Sequence, residues 1–190
     1  MELLKSHNPA LILVDIQKGF DDIAYWGGER NNPDAAQNAA GLLWLWRKNN
    51  FPLFHVQHCS SNPKSLLHET NKGNELLDIV KPLQGETVIK KNVNSAFIGT
   101  DLKDRLDNAR ITHVVVVGLT TDHCISTTVR MAGNFGFTTF LVSDATATFN
   151  KKGTDGQQFS ASIIHETALA SLQGEFATVV PTAFVKECLR

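Results

Sequence analysis

Two features of this 190-residue sequence predict an α/β fold: a three-layer α/β/α, doubly wound (Rossmann-like) sandwich around a six-stranded, mainly parallel sheet. Short apolar runs alternate with longer segments of helical period, so strand and helix succeed each other along the chain. The runs are continuous instead of alternating with polar residues, which is the habit of strands covered on both faces. Such an order implies right-handed βαβ crossovers. The content of 42% hydrophobic residues, with no linker or composition shift, reads as a single domain over residues 1–190.

In chain order, the first strand is "ALILVD" (10–15). A helix follows over 34–50, where Ala35, Ala39, Leu42, Leu43 and Trp46 share one stripe and Pro33 and Asp34 mark its start. "FPLFHVQ" (51–57) and "TVIKK" (87–91) are the second and third strands. The helix over 99–109 rests on Leu102 and Leu106, four apart, with Thr100 or Asp101 as cap. "HVVVVG" (113–118) is the fourth strand and leads into a helix over 122–135. "FTTFLVSDA" (137–145), a helix over 157–172 and "FATVVP" (176–181) complete the series. Two polar stretches, 59–72 and 145–156, read as loops after strand ends, either lids over a site or plain connections.

The formal net charge of −1 gives no electrostatic reason to expect nucleic acid or an anionic membrane as partner. The N-terminal apolar run is too short for a signal segment or a membrane span, so a cytoplasmic location is expected. Cys59, Cys124 and Cys188 are few, odd in number and widely spaced, unlike a disulfide framework or a CxxC zinc site, and are expected to be reduced thiols. "GGERNN" (27–32) lacks a phosphate-binding glycine pattern.

Three kinds of reactive group fall at predicted strand ends. Asp15 ends the first run, where partial burial would make it a proton shuttle, although strand-end aspartates also cap turns. Lys90 and Lys91 end the third run; neighbours in a strand face opposite ways, so at most one enters the crevice, and both also fit a solvated pair. Cys124 follows the fourth run. With Thr121 as N-cap it falls at the third helical position, where the helix dipole stabilises a thiolate; a small buried thiol is the other reading. A doubly wound sheet brings these ends to one rim, where an acid, a cation and a thiol make covalent catalysis by cysteine possible.

These segments resemble the isochorismatase-like cysteine hydrolases, a family that includes nicotinamidases and N-carbamoyl amide hydrolases. "ALILVDIQKGF" is similar to the family's opening strand and acid, "KKNVNSAFIGTDL" to its lysine followed by Ser-x-Phe, and "VVVVGLTTDHCISTT" to its nucleophile motif. The resemblance runs over nearly the full length and selects Lys91, because Ser95 and Phe97 follow it at the family's spacing. It implies a Cys124 nucleophile, Asp15 as proton carrier and Lys91 as electrostatic support, acting through a thioester on a C–N bond of a small amide or carbamoyl compound. It also implies a cis peptide at Leu119–Thr120, an oxyanion hole from the backbone N–H groups of Thr120 and Cys124, and a homodimer or homotetramer.

The family's nicotinamidases carry a metal site built on Asp-x-His with a further histidine. Here "FHVQHCSSNPKSLLHE" supplies His55, His58 and His68 but no Asp-x-His, so nicotinamidase is disfavoured and neither metal nor cofactor is expected. Gln17, Phe20, Trp26, His58 and Phe149 are the candidates for substrate contact, the aromatic ones being equally at home in a core. His165 shares an apolar helical stripe and is read as a packing residue. The alternative to an amidase is a non-catalytic or redox-sensing protein using Cys124 as a reactive thiol.

Overall fold

A computed structural model describes Leu3 and residues 5–189. In chain order the elements are β1 (Ala10–Val14), α1 (Ile23–Trp26), α2 (Ala35–Asn49), β2 (Leu53–His58), β3 (Thr87–Lys91), α3 (Leu102–Asn108) and β4 (His113–Leu119). They continue with α4 (Ser126–Asn134), β5 (Thr138–Ala147), β6 (Lys151–Lys152), β7 (Gln158–Phe159), α5 (Ala161–Leu172), β8 (Thr178–Val180) and α6 (Thr182–Cys188). Six strands form one parallel sheet in the order β3-β2-β1-β4-β5-β8, so the chain winds outward from β1 to β3 and then resumes on β1's other side at β4. Such a reversal of winding opens a crevice at the carboxyl ends of β1 and β4.

The continuous apolar runs are explained by the two cores they serve. Successive residues of β1 point to opposite faces, and all five are buried. Leu11 and Leu13 join α2 and α6, where Leu42, Leu43, Trp46, Val185 and Leu189 form one core. Ala10, Ile12 and Val14 face α3, α4 and α5, with Leu102, Leu106, Val129, Ala132 and Leu172. Trp46 is fully buried, and its indole N–H donates to the Pro9 carbonyl at 2.8 Å, which satisfies the one polar atom the ring brings inside.

The expected helices and strands are present with shifted ends, and four features depart from the sequence reading. β5 runs on to Ala147, two residues past its expected end and into the stretch expected to be a loop; β6 lies in that stretch, and its hairpin partner β7 takes the start of the helix expected over 157–172, which begins only at Ala161. α6, an element the sequence reading did not assign, covers the core through Val185, with Leu189 following at its end. α1 is a single turn whose start is capped by the Asp22 carboxylate on the Tyr25 N–H. The helix expected from 122 opens instead as a π-helical turn, Thr121–Ile125. Among the described residues no helix is long and apolar enough to cross a membrane.

Candidate active site

The carboxyl ends of four adjacent strands build the site. Asp15 follows β1 with φ +53°, a left-handed conformation that aspartate tolerates better than most residues, while its N–H donates to Val56 of β2 at 2.9 Å. On β3 the side chains alternate, Lys90 exposed and Lys91 buried, with Lys91 in register with His58 of β2. Cys124 lies in the turn after β4. Asp15 is 0% exposed, Lys91 3% and Cys124 8%.

Lys91 Nζ donates to Asp15 Oδ2 at 2.6 Å, to Val93 O at 3.2 Å, and faces His58 Nδ1 at 3.1 Å. Asp15 Oδ1 is buried without a hydrogen bond of ordinary geometry. A carboxylate oxygen of Asp15, a ring nitrogen of His58 and Cys124 Sγ all lie within 4.8 Å of one another. Burial raises the Asp15 carboxyl above the usual carboxylate range against the opposing pull of Lys91 and of the Cys124 thiol. Burial also pushes the Cys124 thiol up, and the Asp15 charge adds to it. His58 is lowered by burial and by the Lys91 charge.

These directions correct the expectation of a dipole-stabilised thiolate. Thr120, not Thr121, is the extended residue before the turn, and its carbonyl accepts from the N–H of His123 and of Ile125. Cys124 is therefore the fourth residue of a π turn, one place later than expected, and a buried carboxylate beside it outweighs the helix end. Burial thus favours the protonated form of both the Cys124 thiol and the Asp15 carboxyl, with Lys91 opposing it at each.

A family model of the isochorismatase domain matches residues 9–184. The chain belongs to the isochorismatase-like hydrolase family. Among the family's members, it is 49% identical to the isochorismatase family protein YrdC of Bacillus subtilis, over 91% of each chain. It is 29% identical to Nicotinamidase 3 of Arabidopsis thaliana, over 90% of this chain and 83% of that one. The crystal structure of an isochorismatase-family protein from Chromobacterium violaceum superposes with a TM-score of 0.94 at 40% identity, covering 100% of this chain and 97% of that one.

Within this isochorismatase-family fold the other candidate residues separate. The Leu119–Thr120 peptide is cis. Gln17 is fully buried with its amide spent on backbone: Nε2 donates to His58 O at 3.0 Å and Asn74 O at 2.7 Å, and Oε1 accepts from His58 N at 2.9 Å. It has no donor left for a substrate and instead fixes the end of β2. Phe20 and Phe149, 4% and 0% exposed, stack on each other and on Trp26 with centroids 4.7–6.1 Å apart. Phe149 thus belongs to the core, because its ring offers no free surface; Trp26 is half-buried with its N–H on Gly19 O at 2.7 Å. His165 holds the turn that carries Cys124 through the Thr121 hydroxyl at 2.9 Å.

Asp15, His58 and Cys124 are the one group among the described residues with metal-ligand character, and thiolate, imidazole and carboxylate suit zinc. The Lys91 ammonium already faces two of the three donors, so a metal ion does not fit while the lysine is in place. The other two histidines lie elsewhere: His55 on Glu86 at 3.0 Å, and His68 on Thr70 at 2.8 Å. Sequence reasoning missed Asn74, a buried amide that donates to His58 O and Leu67 O, both at 2.8 Å. No periodicity marks a loop residue whose partners are backbone carbonyls.

Proposed function

We propose that this protein is a cysteine-dependent hydrolase that cleaves a C–N bond of a small amide or carbamoyl compound through a thioester on Cys124, as a homodimer or homotetramer. The observation that carries this reading is the buried Asp15–Lys91 pair at 2.6 Å beside the Cys124 thiol. A carboxylate whose proton affinity is raised by burial is a better base than an exposed one, and it lies next to a thiol that still has its proton.

In the first half-reaction Asp15 takes the thiol proton as Cys124 Sγ attacks the carbonyl carbon. Lys91 keeps its positive charge and offsets the negative charge as it moves from carboxylate to sulfur. The backbone N–H groups of Thr120 and Cys124 serve as the oxyanion hole, each donor contributing about 3–4 kcal/mol to such a transition state. Asp15 then returns the proton to the leaving nitrogen, and ammonia or an amine departs. In the second half-reaction Asp15 takes a proton from water, the hydroxyl attacks the thioester, and the proton returns to sulfur as the carboxylic acid leaves.

Redox sensing through Cys124 finds no support, since sensor thiols are exposed and ionise easily, whereas this one is 8% exposed and raised. The test is ammonia release from a panel of small amides and carbamoyl compounds, nicotinamide among them. Cys124→Ala is expected to lower turnover by roughly 1,000-fold or more, by analogy with other nucleophile removals. Undiminished turnover in that variant rejects the proposal. Intact-mass detection of an acyl adduct on Cys124 checks the thioester.

A further inference from the structure

Four neighbouring strands end side by side at the crevice, and each brings one polar group to it: in spatial order, Lys91 from β3, His58 from β2, Asp15 after β1 and Cys124 after β4. The reaction above uses three of them. His58 is the fourth, and it is held with unusual care. Its carbonyl accepts from Gln17 Nε2 at 3.0 Å and from Asn74 Nδ2 at 2.8 Å, and its N–H donates to Gln17 Oε1 at 2.9 Å. Gln17 is 0% exposed and Asn74 7%, so two buried amides are devoted in part to one residue's backbone.

The ring's role follows from donors and acceptors. An ammonium group only donates, so His58 Nδ1, 3.1 Å from Lys91 Nζ, must present a lone pair, which places the imidazole's proton on Nε2. Lys91 then has three N–H bonds and three acceptors: Asp15 Oδ2, His58 Nδ1 and Val93 O. Removing one acceptor leaves a buried donor unpaired and frees the ammonium to turn away from Asp15.

We propose that His58 is a positioning residue: as the neutral Nε2–H tautomer it accepts a hydrogen bond from Lys91 and so keeps the ammonium seated on Asp15, and protonation of His58 unseats it. Protonated, Nδ1 carries its own hydrogen and meets the ammonium head-on. The charged and titratable groups facing the ring are Lys91, which opposes that proton, Asp15, which favours it, and the Cys124 thiol. Burial and Lys91 together lower His58, so the neutral form persists below the usual histidine range.

The tautomer is tested without substrate. In nitrogen-15- and carbon-13-labelled wild-type protein at neutral pH, the His58 ring signals, assigned by connection to the residue's own backbone resonances, are expected to show a neutral ring protonated at Nε2. An Nδ1–H tautomer or an imidazolium overturns the proposal, and because this reading needs only the wild-type chain, no folding failure of a variant obscures it. The activity arm rests on the hydrolase reading. His58→Asn keeps an acceptor near the Nδ1 position and is expected to retain kcat, while His58→Leu, which leaves the ammonium short of one acceptor, loses about 30-fold in kcat with little change in KM. The acid limb of kcat/KM is expected to steepen to two protons in wild type, from His58 and Asp15, and to show one in His58→Asn. Equal kcat in the Asn and Leu variants, or an acid limb of one proton in wild type, overturns the proposal; a chain with no amidase activity at all leaves the tautomer measurement to decide.

Discussion

Asp15 combines a left-handed backbone, complete burial and a carboxyl raised by desolvation, and it controls its neighbour's chemistry as well as its own. Part of what raises the Cys124 thiol is the Asp15 charge, so on the proposed mechanism Asp15→Asn removes the base and eases ionisation of the thiol in one step. Turnover is expected to fall by about 100- to 10,000-fold, the usual worth of a positioned proton carrier. Alkylation of Cys124 in the same variant is expected to begin at lower pH than in wild type; a shift to higher pH would contradict the arrangement. Remote from the site, Glu86 accepts from Arg47 at 2.7 and 2.8 Å, and that pairing lowers its carboxyl from 4.5 to about 2. A carboxylate whose folded value is depressed contributes stability that is fully present above 4.5 and is lost as pH falls through about 2. The shift bounds that contribution at about 3 kcal/mol. Glu86→Gln is accordingly expected to be less stable at pH 7, with the gap closing toward pH 2, as read by urea unfolding.

At the scale of elements, β1 and β4 approach closely where Val14 pairs with Gly118. Gly118 has φ +126°, and a Cβ there would sit 1.9 Å from the Val14 carbonyl oxygen. That oxygen belongs to the residue before Asp15, so only glycine lets the two strands close beneath the site. Gly118→Ala is expected to cost about 3 kcal/mol or more through backbone strain and clash, and an unchanged melting temperature would refute this. The long elements were legible in the sequence because a 15-residue helix such as α2 shows its stripe over four turns and a five-residue run such as β1 has apolar residues on both faces. The four-residue α1 and the β6–β7 hairpin are too short to display a period, and α6 buries only Thr182 and Val185, one of them polar, so no apolar stripe marks it. The π turn escaped for another reason: apolar spacing over so few residues does not distinguish five-residue from four-residue hydrogen-bonded rings.

For the whole molecule, the two apolar layers share the sheet between them, and β1, β4 and β5 contribute buried residues to both. We propose that residues 1–190 therefore unfold as a single domain. Tryptophan emission reports Trp26, Trp44 and Trp46, all in the first quarter of the chain, whereas far-ultraviolet circular dichroism reports the whole; coincident urea transitions are expected, and separate ones would show two units.

The sequence by itself determined the strand–helix alternation, the strand ends at which Asp15, Lys91 and Cys124 stand, and, through motif resemblance, the choice of Lys91 over Lys90. These are local properties, carried by residue type and spacing. Only the tertiary structure decided that β2 lies between β1 and β3, which brings His58 in among the three, and that Gln17 turns to backbone while Phe149 joins the core. It also decided the surroundings of the thiol. Ionisation at Cys124 depends on how much water and which charges remain after the layers close, and strand order and burial are properties of the closed sheet that no single segment contains.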